Sequence, residues 1–402
     1  FMGGKHIKTN FGSAYREFLI NDVADTVQGA ADFVAYFYLR SCKLLRGHGT
    51  FSLIACNTIS EGDTRQVALE RLSSIGVIYS AHPNMPWPGA AAVAISPVSF
   101  YKDNGWRGDC CLDGVVVNYI SPYLSNQEEW SPHVLSRNGG KSFQGVIVRG
   151  KAFVITSEEA KELIDNDPRN KNVIFPYLNG DDLNSSPTQS PSRWTINFFD
   201  WPLDGLGACS VSKYENVARF LESRILSENP TAKDDPTRPF WWQYWNQRPV
   251  LYHVLGKGSN FVKHPRGTFP PERKESALVT SRHSKFLVFS LHNTSDVFSD
   301  ATVVFPDVTE FTILQSAIHE SWVRKQGSKL ETRLRYTPTD CYETYPFPLA
   351  WKGDDHGFLT EVDSLRHAIM SDDQIGLTQL YNKFHDPSVE DSRIVELRQL
   401  QV

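Results

Sequence analysis

Three short basic turns hold the residues best suited to chemistry. Thr280-Ser281-Arg282-His283-Ser284-Lys285 is the densest; Lys141, Arg149 and Lys151 form a second, and Arg333 and Arg335 a third. An arginine projecting from a short turn can set its planar fork on the O6/N7 edge of guanine, and arginine or lysine alike can neutralise a phosphate. The same residues also read as solvated loop charges. Between positions 257 and 285 stand Lys257, Lys263, Arg266, Arg273, Lys274, Arg282 and Lys285 against Glu272 and Glu275, whereas ten acids face five bases from 351 onward. A basic middle and an acidic tail suit a single phosphate-facing surface, although the net charge of −5 leans weakly against a nucleic-acid partner. Lys263, Arg266, Lys274, Arg282 and Lys285 are the DNA-contact candidates of this stretch. Trp241, Trp242 and Trp245 read as a stacking platform for bases or as a core wedge against Pro239 and Pro249, and their clustering favours the core.

Other chemistries find less support. The twelve histidines include no HExxH, and neither a Gly-x-Ser-x-Gly elbow nor a GxGxxG loop occurs. Cys42, Cys56, Cys110, Cys111, Cys209 and Cys341 show no CxxC spacing, so no zinc or other metal site is expected and reduced, cytoplasmic thiols are. Asp181-Asp182 resembles a pair of metal-binding carboxylates, but paired acids in a turn read first as caps. No run of 18 apolar residues exists, so no membrane is expected as a partner.

The elements that must position these residues divide by pattern. At 402 residues the chain has room for two or three cores. The first 125 residues read as α/β: a helix over 30–45 ended by Gly47 and Gly49, a buried strand over 50–55, a helix over 63–72, and strands over 77–79 and 91–101. Cys56-Asn57-Thr58 falls at the C-terminal end of the first strand, where open α/β sheets place ligands. The loop 82–89 is too proline-dense for regular structure. From about 130 to 350, β-like runs at 145–148, 173–175, 194–198, 251–254, 277–280, 286–291 and 301–305 alternate with helices at 157–164, 217–226 and 310–326. Helices at 360–370 and 374–384 close the chain.

The first residues, Phe1-Met2-Gly3-Gly4-Lys5, run on to Tyr15-Arg16-Glu17-Phe18-Leu19. This resembles the amino-methylating DNA methyltransferases of the single-chain, MmeI-like (type IIG/IIL) restriction–modification family. There an Asn/Asp-Pro-Pro-Phe/Tyr loop continues as Phe-hydrophobic-Gly-Gly-Lys and a Tyr-Arg-Glu helix. Further blocks are similar to the same family: Leu53-Ile54-Ala55-Cys56-Asn57-Thr58-Ile59, Pro86-Trp87-Pro88-Gly89, Phe175-Pro176-Tyr177-Leu178-Asn179-Gly180-Asp181-Asp182, Trp241-Trp242-Gln243-Tyr244-Trp245 with Arg248-Pro249, and Leu334-Arg335-Tyr336-Thr337-Pro338. The resemblance covers nearly the whole chain.

It implies an α/β plus α+β fold class. The C-terminal half of a Rossmann-like class I methyltransferase sheet would occupy 1–128, a mixed α+β target-recognition domain 129–350, and a short helical segment 351–402. It implies methyl transfer from S-adenosylmethionine to adenine N6 in duplex DNA, within a restriction–modification or phage-defence system; adenine follows from the family alone. Phe1 matches the aromatic that stacks on a flipped base, and Trp87 the hairpin aromatic on its opposite side. Lys5 and Asn57 become DNA-contact candidates, Asn57 reading equally as a strand-end cap. The Asn-Pro-Pro acceptors have no counterpart here, so S-adenosylmethionine is expected to be bound mainly by residues absent from this chain, which alone is expected to be inactive. The expected partners are double-stranded DNA and the missing N-terminal half or a restriction subunit. The alternative is a non-catalytic DNA-specificity module serving a separate modification or restriction subunit.

Overall fold

The structure is a computed structural model that describes residues 2–27, 29–89, 93–127, 132–205, 209–234, 239–263, 272–330, 333–349, 353 and 357–401. It divides into two compact units, Phe1–Ser131 and Pro132–Val402. Both mix helices with sheets, and no described sheet closes into a barrel. No described helix is long and apolar enough to cross a membrane.

In the first unit, α1 (Gly4–Phe18) bends at Gly12, whose φ of +84° suits glycine and strains other residues. Asp32 opens α2 (Phe33–Leu44) by accepting a hydrogen bond from the Val34 amide, which satisfies a donor of the first turn. There follow β1 (Thr50–Cys56), α3 (Gly62–Val67), α4 (Leu69–Ile75), β2 (Val77–Ala81), β3 (Met85–Pro86), β4 (Ala94–Tyr101), β5 (Cys110–Leu112) and β6 (Val115–Val117). The sheet runs β1-β4-β2-β5-β6, with β3 also on β4. Since β4 is antiparallel to both β1 and β2, those two are parallel with a returning strand between them. Tyr38, Ala55, Leu69, Leu72, Ile78, Val98 and Phe100 fill the core.

Three expectations need correction here. The strand over 50–55 was expected to be buried, yet β1 pairs with β4 alone among the described residues and leaves Thr50, Ser52 and Ile54 exposed. The helix over 63–72 breaks at Ala68 into α3 and α4. The proline-dense loop contributes β3, in which Pro86 pairs opposite Ala94; proline is tolerated because an edge strand need not donate on its outer side.

The second unit contains β7 (Phe143–Gln144), β8 (Val154–Ile155), α5 (Ser157–Asn166), β9 (Ile174–Leu178), α6 (Gly180–Ser185), β10 (Arg193–Ile196), α7 (Glu215–Glu228) and α8 (Pro249–Val254). Next come β11 (Ser276–Ser281), β12 (His283–Ser284), β13 (Ser290–Asn293), β14 (Val297–Phe298), β15 (Thr302–Phe305), α9 (Phe311–Leu314), α10 (Ala317–Gln326), β16 (Ser328–Leu330) and β17 (Arg333–Arg335). The last helices are α11 (Gly357–Asp373), α12 (Leu377–His385) and α13 (Ser392–Leu400). Three sheets form, ordered β14-β9-β10-β8, β13-β11-β15-β7 and β12-β17-β16. The strand expected at 251–254 is helix α8, because Pro249 in its first turn presets a helical φ and has no amide to leave unpaired. The run 145–148 forms only isolated bridges at Val146 and Ile147. The run 286–291 becomes strand only from Ser290, and 310–326 breaks where Ser316 caps α10.

One core joins Leu278, Phe289, Phe305, Tyr336 and Tyr342 to Val362, Ile369, Leu380 and Ile394 of the closing helices. Arg366 is buried within it, donating to the Phe289 carbonyl at 2.8 Å and to the Tyr381 hydroxyl. A second, aromatic core contains Phe153, Phe198, Trp201, Trp241, Trp242 and Tyr244. Trp241 and Trp242 are thus the expected wedge. Trp245 is not: it is 64% exposed. The Tyr244 hydroxyl anchors inward on Thr195 Oγ1 at 2.7 Å, and the chain turns outward at the next residue.

Candidate nucleic-acid interface

The pairing of β12 with β17 decides the site. His283 lies opposite Arg335 and Ser284 opposite Leu334, so two basic segments some fifty residues apart in sequence become neighbours; Arg333 and Arg335, expected in a turn, lie on strand β17. Arg282 sits in the one-residue break between β11 and β12. Its amide donates to the Ala301 carbonyl at 2.8 Å and its carbonyl accepts from the Tyr336 amide at 2.9 Å, so its backbone is held on both sides. Burial, reinforced by Arg335 and Arg248, disfavours the charged form of its half-buried guanidinium, while Asp300 opposes that effect. Burial and then Arg282, Arg335 and Arg333 likewise hold the His283 imidazole below its ordinary range, again against Asp300. Arg248 and Arg335 thus act on Arg282, and Arg282, Arg333 and Arg335 act on His283, in both cases against Asp300. Arg335 Nε is buried there without a hydrogen-bond partner. Guanidinium stays charged under such conditions, so the positive excess is real and attracts anions.

Arg248 is the member that sequence reading missed. It adopts a left-handed backbone (φ +52°) just before Pro249, and its Nη2 donates to Gln144 Oε1 at 2.9 Å. Gln144 in turn donates to the Asp300 carbonyl at 2.9 Å. Close backbone approach allows this: a Cβ on Gly145 would collide with the carbonyls of Phe298 and Ser299.

Beside the cluster opens a polar cavity of about 620 Å³, lined by Lys151, Asn179, Asp181, Arg193, His283 and Arg333 among others. It unites Lys151 and Arg333 with Arg193 and Asn179, neither of which stood out in the sequence. Asn179 is also the cap of α6, accepting from the amides of Asp181 and Asp182, while Asp182 returns a bond to the Asn179 amide. Asp182 is therefore a capping acid, as the turn suggested. The described residues contain no group of three or more His, Cys, Asp or Glu placed to hold a metal.

The other basic candidates are dispersed. Lys141 lies 3.7 Å from the buried Glu310, whose carboxyl is raised by burial. Arg149 donates to the Phe240 carbonyl and faces the exposed Trp245 ring at 5.8 Å. Lys285 donates to Asn382 Oδ1 at 2.6 Å, across from α12. Lys263 is exposed and Lys274 half-buried, and the described structure does not place either in the arginine cluster. Arg266 and Phe1 lie outside the described residues, as does the side chain of Lys5.

In the first unit, Trp87 stands on the β3–β4 hairpin, closed by its amide on the Val93 carbonyl at 2.9 Å, with its indole 43% exposed. Gly89 lies against that indole and leaves no room there for a Cβ. Asn57 is buried and donates to Asn84 Oδ1 at 2.9 Å. It tethers the end of β1 to the proline-rich loop instead of capping a backbone amide, which corrects the cap reading. The unit's cavity of about 280 Å³ is lined by Tyr15, Phe18, Leu19, Phe33 and Phe37, with Arg40 its charged lining residue. No carboxylate lines it to take ribose hydroxyls, so it does not fit S-adenosylmethionine.

Residues 264–349 match the family model described as the MmeI target recognition domain. DNA methyltransferase A of Bacillus subtilis (strain 168) is 22% identical over 338 residues, covering 78% of this chain and 34% of that protein. The solved structure of the type IIL restriction–modification enzyme MmeI in complex with DNA is similar over 95% of this chain and 50% of that one, at 18% identity and a TM-score of 0.64. The chain thus spans about a third of the curated relative and half of the solved one. The family match takes in Arg282, Arg333 and Arg335, and Arg248 joins them from outside it. Residues 264–349 thus match the MmeI target recognition domain model, and the fold of the chain is similar to that of MmeI.

Proposed function

We propose that the Pro132–Val402 unit recognises duplex DNA through the Arg248–Arg282–Arg333–Arg335 cluster. The observation that carries this reading is the excess of guanidinium charge where β12 meets β17, inside the segment that matches the target recognition model. Fixed arginines beside a polar cavity suit phosphate contacts at the rim and a base edge further in. We propose further that the chain belongs to a DNA methyltransferase of a restriction–modification or phage-defence system, acting on adenine N6 with S-adenosylmethionine. Trp87 then holds one side of a base turned out of the duplex.

The test is selection of bound duplexes from a random pool by the whole chain, followed by affinity measurements across salt concentrations. A defined sequence motif is expected, with log K falling by about 0.9 per neutralised phosphate for each unit of log salt. Salt-independent binding, or a pool that never acquires a motif, would sink the reading.

A further inference from the structure

A second cavity, of about 730 Å³, is lined by Phe175, Trp194 and Trp201 together with Lys171, Lys257 and Arg273. Its size falls within the range of small-molecule sites. Trp194 of β10 is half-buried and stands opposite Pro176 of β9, which also lines the cavity, while Trp201 is fixed by its Nε1 bond to the Asn260 carbonyl at 2.7 Å. The two nearby cations are brought together by backbone. The Lys274 amide donates to the Leu255 carbonyl at 3.2 Å, and Gly256 (φ +74°) lies so close to the Arg273 backbone that a Cβ could not fit.

Lys257 is the unusual member. Burial first, and then the repulsion of Arg273, push its ammonium down to about 8, yet no ion pair or hydrogen bond holds its Nζ among the described residues. The acid that acts on it, Asp296, is itself raised to about 6 by burial; it stays mostly ionised at neutrality, one carboxylate against the two cations Lys257 and Arg273. A largely desolvated cation beside a second cation, in a cavity that aromatic residues also line, leaves positive charge that an anion would complete.

We propose that this cavity binds a nucleotide, its planar ring against Trp194 and its phosphate between Lys257 and Arg273. The site is separate from the arginine cluster and does not rest on the DNA-recognition reading. A free mononucleotide and an unpaired nucleotide of a DNA strand share this chemistry.

The whole chain is titrated calorimetrically with AMP, with adenosine and ribose 5-phosphate as comparators, and in parallel with a short single-stranded oligonucleotide. Saturable binding of AMP is expected, tighter than either comparator and about tenfold weaker in Lys257→Met/Arg273→Gln, both of which preserve side-chain bulk. Trp194→Leu should weaken AMP but leave ribose 5-phosphate unchanged. Oligonucleotide binding without AMP binding, lost in the double variant, assigns the source to a strand. Binding of neither, or binding indifferent to these substitutions, overturns the site. Arg282→Ala, measured alongside on duplex DNA, reports separately on the recognition cluster.

Discussion

At the scale of the residue, Arg282 has its backbone held on both sides and its guanidinium half-buried. If it contacts a base edge, Arg282→Ala should cost about 1–3 kcal/mol on the selected duplex and little on a scrambled one. Arg282→Lys should not restore the difference, because an ammonium lacks the planar fork. Equal losses in a competition assay with both duplexes would reassign Arg282 to phosphate. His319 offers a prediction of another kind. It is buried in the second unit's core, with Nε2 3.1 Å from the Tyr336 hydroxyl, and burial pushes it down to about 3. The unfolded histidine titrates near 6.5, so between about 6.5 and 3 the unfolded chain binds a proton that the folded one refuses. Stability contributed by the neutral ring is complete above that window and falls by about 1.4 kcal/mol per pH unit within it. Urea midpoints measured from pH 7 to 4.5 should fall less steeply in His319→Gln than in the parent; identical slopes would refute the assignment.

At the scale of the element, the site depends on how tightly loops approach strands. Gly145 follows β7 where the chain presses on the Phe298 and Ser299 carbonyls, and Arg248 Nε reaches the Gly145 carbonyl at 3.3 Å. Gly145→Ala must push these segments apart. It should cost about 1–3 kcal/mol in denaturant unfolding and weaken duplex binding through displacement of Arg248. An alanine variant of unchanged stability would show that the approach is looser than described. The pairing of β12 with β17 has the complementary role: it is two residues long, yet it turns separate basic stretches into one cluster.

At the scale of the whole molecule, the second unit is integrated through Arg366. Its guanidinium bonds the Phe289 carbonyl beside β13 and the Tyr381 hydroxyl of α12, and it stands over the rings of Phe311 and Tyr381. Arg366→Ala leaves two buried acceptors short of a donor and opens a cavity, for an expected loss of about 3–5 kcal/mol. Calorimetry should show the closing helices and the central strands melting together in the parent. A variant in which only helical signal is lost would indicate that the tail is energetically separate.

Much of the local structure was legible before any coordinates: α2, α5, α7, β11 and β15 fall close to where periodicity and capping residues place them, because those signals are local. Arg282, Arg333 and Arg335 were legible as basic residues, although Arg333 and Arg335 stand on strand β17 and not in the expected turn, and the capping role of Asp182 was legible as a turn acid. Tertiary structure alone decided that β1 lies at a described sheet edge, that 251–254 is helical, and that Trp245 leaves the core while its neighbours stay. It alone gathered Arg248 with Arg282 and Arg335, and left Lys141 beside a buried glutamate. The physical reason is common to these cases: residue type and spacing record which conformations a segment tolerates, but strand partners and charge neighbours are set by contacts between residues far apart in the chain.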